Sequence, residues 1–361
     1  ESIPHLDWSA AQSLLKHIEE STPENGREWS WELLTRLLDR RYDLGGLRAS
    51  RWLDEVEILL NRIVASSTHS PCEVFLGQRT PGHRPTPISE RQRIVVDARP
   101  YPPEGTESLA LELVSLKEIG WKSFVVTNCR GHRFIGNGFG PDSAGIRIDV
   151  LGAVGDYLGS GNDGMEVHMH GNAQDQVAQI HKSGELVVHG DVGQCYGYGA
   201  KGGSMFVLGN AAGRPMINSV GSPKLVINGT ALDYLAESFM AGDPLDGGGF
   251  VIINGMEFDD RGQLVRLETP YPGGNLFSLA SGGAIYVRDP HQRLSESQLN
   301  GGSFVEMTDE DWDVVEPILQ RNQDHFGITL QRLLTVDGEV SNPCNVYRKI
   351  VPVKSKTLHA E

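Results

Sequence analysis

No two of the four cysteines, Cys72, Cys129, Cys195 and Cys344, lie close enough to form a C-x-x-C pair. That absence removes the usual cysteine framework for an iron–sulfur cluster or a structural zinc site within this chain. The spacing sets out no disulfide framework either. No apolar run approaches the roughly 20 residues needed to span a bilayer. The first thirty residues carry charges and no apolar signal core, so the expected location is the cytoplasm. Basic residues are the minority, 32 against 47 acidic, for a formal net charge of -15. A chain of that sign lacks the positive footprint of nucleic-acid or anionic-membrane binding, and neither is expected as a partner.

Glycine, by contrast, is abundant, with 43 residues concentrated after Gly131. Short apolar segments each end on one of these glycines: I-R-I-D-V-L-Gly152, V-H-M-H-Gly171, L-V-V-H-Gly190, M-F-V-L-Gly209, L-V-I-N-Gly229 and V-I-I-N-Gly255. The spacings are 19, 19, 19, 20 and 26 residues. A fixed period of this size, built of short strands and turns, is the mark of a stacked repeat. Two positions before each glycine stand Val150, Met169, Val188, Val207, Ile227 and Ile253; four before stand Ile148, Val167, Leu186, Met205, Leu225 and Val251. They alternate with more polar positions and therefore share one face of their strands. Five before stand Arg147, Glu166, Glu185, Ser204 and Lys224, a column expected to face water for most of its length.

The expected fold is mainly β, a right-handed parallel β-helix over 145–289 with about 19 residues per rung. Gly152, Gly171, Gly190, Gly209, Gly229 and Gly255 would sit at corners where φ is positive and a Cβ would clash. Asn172, Asp191, Asn210 and Thr230 follow the corners, where such side chains can bond backbone and one another along the stack. The run G-Y-G-A-K-G, Gly197–Gly202, fits the dinucleotide pattern G-x-G-x-x-G. That pattern works only between a strand and a helix N-terminus, and here another strand follows. The same reasoning applies to G-N-G-F-G, Gly136–Gly140.

Outside the repeats, residues 1–85 form a helical segment. Trp8, Ala11, Leu15 and Ile18 recur at helical spacing behind Asp7 as N-cap, Trp31, Leu34 and Leu38 mark a second helix, and Trp52, Val56, Leu59, Leu60 and Ile63 a third. The stripes are read first as the core of a small helical domain and second as a docking module. T-P-G-H-R-P-T-P, 80–87, is a linker by composition. Residues 86–144 form a strand–helix–strand cap, with strands at 94–98 and 123–128 and a helix near 106–119. Residues 290–361 form a helical cap and tail, with a helix from Thr308, a further helix near 322–334 and the extended Y-R-K-I-V-P-V.

The segments G-H-R-F-I-G-N-G (131–138), G-D-Y-L-G-S-G (155–161), G-Y-G-A-K-G-G (197–203), G-N-A-A-G-R (209–214), S-G-G-A-I-Y-V (281–287) and Y-R-K-I-V-P (347–352) together resemble the glycine-rich G-x-G-x-G domain at the C-terminal end of the glutamate synthase large subunit. One of the subunits of formylmethanofuran dehydrogenase is similar. The resemblance covers about residues 94–352, and some organisms carry this domain as a separate subunit. It implies a scaffold without catalysis of its own, in a multi-subunit cytoplasmic redox complex. FMN or FAD and the iron–sulfur clusters would belong to partner subunits, with a glutaminase subunit as a further partner. No catalytic or cofactor-binding residue is carried over, and the helical segment 1–85 departs from the family pattern.

One constellation outside that resemblance could carry chemistry. His170 and His189 occupy the same column in adjacent rungs, His168 shares the strand face of His170, and Asp149 is level with His168 one rung back. Imidazoles and a carboxylate are metal ligands, but a parallel column converges poorly, so stacked structural side chains are the expected reading and no metal site is assigned. Cys129, near His132, reads as a buried structural thiol rather than a nucleophile. A stand-alone carbohydrate-active enzyme is the rival reading; it needs paired carboxylates on an open groove, and the outer columns show no such acidic pair.

Overall fold

The computed structural model describes residues 7–25, 27–65, 73–77 and 84–353. Cys72 and residues 80–83 of the expected linker lie outside them. The helices are α1 (Trp8–Asn25), α2 (Arg27–Asp39), α3 (Ala49–Ala65), α4 (Leu109–Glu118), α5 (Asp309–Phe326), α6 (Leu330–Leu334) and α7 (Pro343–Val346). The strands, in order, are β1 (Glu73–Leu76), β2 (Arg93–Asp97), β3 (Ser123–His132), β4 (Arg147–Val154), β5 (Asp163–Met169), β6 (Ser183–Val188), β7 (Ser204–Val207), β8 (Lys224–Ile227), β9 (Phe250–Ile253), β10 (Met256–Phe258), β11 (Leu264–Arg266), β12 (Ala284–Arg288), β13 (Gly302–Val305), β14 (Thr335–Val336), β15 (Glu339–Val340) and β16 (Tyr347–Pro352). No helix among the described residues is long and apolar enough to cross a membrane.

The expected right-handed β-helix is not what these strands form. Each repeat contributes one strand to a single mixed, mostly parallel sheet, twelve strands wide among the described residues. Its order is β1-β2-β3-β4-β5-β6-β7-β8-β9-β12-β16-β13, parallel from β1 to β12 and antiparallel where β16 meets β12 and β13. Pairing is in register by one repeat, as in Val150↔Met169, Met169↔Val188, Val188↔Val207 and Val207↔Ile227. The strand–helix–strand unit ahead of the repeats continues this sheet, since β3 pairs with β4.

The remainder of each repeat is turns with isolated bridges such as Ala173↔Val192, Val192↔Ala211 and Ala211↔Ala231. Backbone conformation explains why no strand forms there. Positive φ recurs at alternate residues: Tyr157, Gly159 and Gly161; Gln176, Ala178 and Ile180; Cys195, Gly197 and Gly199; Arg214, Met216 and Asn218; Tyr234, Ala236 and Ser238. A strand needs φ near −120° throughout, so a left-handed residue at every second position cannot extend. The backbone groups of these turns pair between repeats instead, as in Gln176 N–H to Gln194 O at 2.8 Å and Gly197 N–H to Val177 O at 2.8 Å. The G-x-G of Gly197 and Gly199 is therefore one instance of a left-handed turn ladder, and β7 follows it rather than a helix.

The inner face of the sheet carries the apolar columns read from the repeat. Ile148, Val167, Leu186, Met205, Leu225 and Val251 are completely buried, packed on turn residues such as Ala178, Met216 and Ala236. Each such side chain contributes about 1.5–3 kcal/mol by leaving water. The outer face is not left to solvent. Helices α1–α3 pack Leu34, Trp52 and Leu60 onto Val95, Val125 and Leu151, and α5 with its neighbours packs Val315, Leu319 and Phe326 onto Val187, Phe206, Val226 and Ile252. The Trp52 ring is buried, and its Nε1–H donates to the Tyr42 hydroxyl at 2.6 Å. Asp7 accepts from the Ala10 amide at 2.8 Å at the start of α1. Thr308 and Asp311 form a capping box on α5, and left-handed Gly327 ends that helix, so the helix expected across 322–334 is divided between α5 and α6.

Candidate functional site

The outer position just before each repeat glycine runs Leu151, His170, His189, Leu208, Asn228, Asn254 and, in β12, Arg288. All of these side chains but Asn254 meet an element laid over the sheet, and Asn254 joins Asn228 to Tyr347 of β16. Asn228 and Asn322 of α5 exchange two amide hydrogen bonds of 2.9 Å, Asn254 donates to Asn228 at 2.8 Å, and Tyr347 donates to Asn254 at 2.8 Å. Arg288 donates to the carbonyls of Leu333 and Thr335. These paired polar groups fix the helices in one register on the sheet; leaving one unpaired would cost about 1–3 kcal/mol.

At His170 and His189 the column enters a buried polar cluster where α2, the sheet and α5 meet. Asp39, the last residue of α2, places its carboxylate 2.9 and 3.0 Å from His170 Nδ1 and 3.6 Å from His189 Nδ1. His170 Nε2 lies 3.0 Å from Asp149, which Arg147 grips with two bonds of 2.8 and 2.9 Å. Arg147 also reaches Glu166 at 2.6 Å, and Glu166 holds His168 Nε2 at 2.7 Å. On the far side His325 of α5 meets Glu185 at 2.8 Å, and Arg321 bonds Glu185 as well. The His170 and His189 rings are stacked with centroids 5.4 Å apart; Trp31 meets the edge of His170 and Phe326 that of His189.

The environments split these imidazoles into two classes. Burial disfavours charge on His170, but the Asp39 and Asp149 carboxylates outweigh it and the group is pushed up to about 10. Burial also opposes the charged form of Asp149, yet His170 and Arg147 hold its carboxyl well below the usual range. His189 is driven well below its ordinary value by burial, which Asp39 offsets only in part. His325 is lowered to about 4, first by burial and then by Arg321. Both ring nitrogens of His189 are buried without a hydrogen-bond partner among the described residues.

The four side chains singled out by the sequence, Asp149, His168, His170 and His189, are brought together here. Asp39, Glu185, Arg321 and His325 join them and escape sequence reasoning. Asp39 reaches His170 across 131 residues of chain, and nothing local in L-L-D-R-R marks it. Glu185, expected in a water-facing column, is covered by α5, while Arg147 and Glu166 remain half-exposed. The outer residues Leu151 and Leu208 are buried under the chain's own helices. Cys129 is buried, and burial raises its thiol far above the reactive range. His132 is engaged with the Arg130 amide and the Tyr101 carbonyl.

The six repeat glycines divide by cause. Gly152, Gly171 and Gly255 have positive φ, whereas Gly190, Gly209 and Gly229 do not. At the latter three a Cβ would run into the side-chain oxygen of Asn172, Asp191 or Asn210 in the preceding repeat. Those same oxygens accept from the Asp191, Asn210 and Thr230 amides at 2.8, 2.7 and 2.9 Å, a ladder from one repeat to the next.

No curated protein matches this chain significantly. Residues 124–352, from the third strand of the sheet to the end of β16 and well over half of the chain, match the GXGXG motif family. The match spans the repeat strands and their left-handed turns, and the chain belongs to that family, the family of the glutamate synthase C-terminal domain.

Proposed function

We propose that this chain is a non-catalytic assembly unit of a cytoplasmic redox complex of glutamate synthase type. Its partners would be flavin- and iron–sulfur-containing subunits, with a glutaminase subunit as a further one. The observation that carries the reading is the family match over 124–352. The physical character of the fold supports it. A sheet of twelve strands, tied repeat to repeat by backbone bonds and by the Asn172–Asp191–Asn210 ladder, is a stiff plate suited to holding separate modules at fixed distances. Its outer face is occupied by the chain's own helices. Partners are therefore expected on the turn side, where Ile180, Met240 and Leu279 are exposed.

The isolated chain tests the non-catalytic part. Purified protein is expected to show no flavin or iron–sulfur absorbance and no glutamate-forming turnover from glutamine and 2-oxoglutarate. Stoichiometric flavin or cluster absorbance, or turnover by the chain alone, would overturn it.

A further inference from the structure

We propose that Asp39, His170 and His189 form a binding site for a divalent transition metal, with zinc the ion their ligand set suits best. Among the described residues these three each offer one ligand atom, all within 4.8 Å of one another. Two imidazole nitrogens and a carboxylate oxygen form a familiar zinc donor set, and a metal on His170 Nδ1 would displace the proton that otherwise bonds Asp39. A tetrahedral zinc with bonds of about 2.0–2.1 Å spaces its ligand atoms about 3.4 Å apart. The Asp39 oxygen lies 2.9 Å from His170 Nδ1 and 3.6 Å from His189 Nδ1, which brackets that spacing.

Three further features point to a cation here. His189 is 4% exposed, and both its nitrogens lack hydrogen-bond partners among the described residues, so an ion would give one of these buried nitrogens a partner. His170 Nε2 is held by Asp149, itself fixed by Arg147, which is the carboxylate–histidine arrangement that orients a metal-bound imidazole. The charge pattern singles out Asp39. Asp149 and Glu166 bond Arg147, and Glu185 bonds Arg321, whereas the side chains paired with Asp39 among the described residues are the two imidazoles, with Arg40, Arg41 and Arg147 acting on it at longer range. A cleft of about 320 Å³ lies close by, lined by Arg40, Arg41, Gly190 and Asp191, of which Arg40 and Gly190 adjoin Asp39 and His189 in sequence. The neighbouring triad His168, Glu185 and His325 has a similar donor set. Each of its members has a hydrogen-bonded partner, His168 in Glu166 and both His325 and Arg321 in Glu185, whereas in the first triad His189 has none among the described residues, so the second triad does not call for an ion.

The test uses the untagged full chain, stripped with a chelator, reloaded with Zn²⁺ or Co²⁺ and desalted. The expected result is one retained equivalent by elemental analysis, a visible d–d band for Co²⁺ and a higher unfolding temperature with metal. His189→Gln and Asp39→Asn should each lower retained metal at least tenfold, while His325→Gln keeps the full equivalent. Asp39→Asn, at a helix end, guards against a His189 variant that does not fold. A wild-type chain that retains no metal overturns the proposal. So does full retention in both Asp39→Asn and His189→Gln, or loss in His325→Gln with retention in His189→Gln.

Discussion

Replacing Gly190 by alanine isolates the close approach of one repeat to the next. Gly190 is not in the left-handed region, so alanine meets no conformational penalty there. Its Cβ would instead run into Asn172 Oδ1 and lie 2.8 Å from the carbonyl carbon and oxygen of Gly171. Asn172 cannot retreat without giving up its 2.8 Å bond from the Asp191 amide. Overpacking of this kind costs about 1–3 kcal/mol, and the lost hydrogen bond adds about 1 kcal/mol. Against this, alanine restricts the unfolded chain and returns about 0.4–1 kcal/mol. The net expectation is a loss of about 1–3.5 kcal/mol. Urea unfolding followed by circular dichroism should show a lower midpoint with an unchanged slope. Gly161→Ala is the control, because its Cβ would enter open space at φ 72°, and only the left-handed penalty of about 1–2 kcal/mol applies. Asn172→Gly should recover part of the Gly190→Ala loss but not all, since the Gly171 backbone remains in place. A Gly190→Ala chain within about 0.5 kcal/mol of wild type, an ordinary surface effect, would refute the close-approach reasoning.

Other outcomes follow from the same contacts. Burial holds His181 down to about 4. With an ordinary value of 6.5, neutral His181 contributes stability that is complete above pH 6.5 and lost as pH falls through 4. The span corresponds to about 3 kcal/mol, so urea midpoints for His181→Gln should fall less steeply from about pH 7 to 4.5 than those of wild type; equal slopes would contradict it. Asn322→Leu removes the α5 partner of buried Asn228 and should cost about 1–3 kcal/mol, with hydrogen exchange of α5 amides accelerating first. Ala178→Gly relieves a left-handed alanine while losing one buried methyl; terms of about 1 kcal/mol oppose each other, and the unfolding midpoint should barely move.

The inner columns are legible in the sequence because a sheet face repeats every second residue and the chain repeats every 19. Val150, Met169, Val188 and Val207 need only those two periods to be aligned, and they are paired in that register. The closing of each repeat is not legible, for a reason that lies in the backbone. The left-handed positions that prevent strands are glycine at 197 and 199 but Gln176, Ala178 and Ile180 one repeat earlier and Arg214, Met216 and Asn218 one repeat later. No residue type announces positive φ at those places; only pairing between stacked turns sustains it. The candidate site is legible in half. His168, His170, His189 and Asp149 share strands whose alignment the repeat fixes. Asp39 and His325 arrive from helices far along the chain, and what brings them is the packing of Trp52, Leu60, Leu319 and Phe326 onto the sheet. Helical periodicity identifies those side chains as core without saying which strand they cover.

Purification of the chain from its native cells under mild conditions, with the mass, subunit composition and cofactor content of the material measured, bears most directly on the assembly reading. The chain is expected in a stable complex, at fixed stoichiometry, with subunits that carry flavin and iron–sulfur clusters, and glutamate-forming activity should travel with that complex. Recovery of a free chain that by itself turns over a small substrate or a sugar polymer would contradict the account.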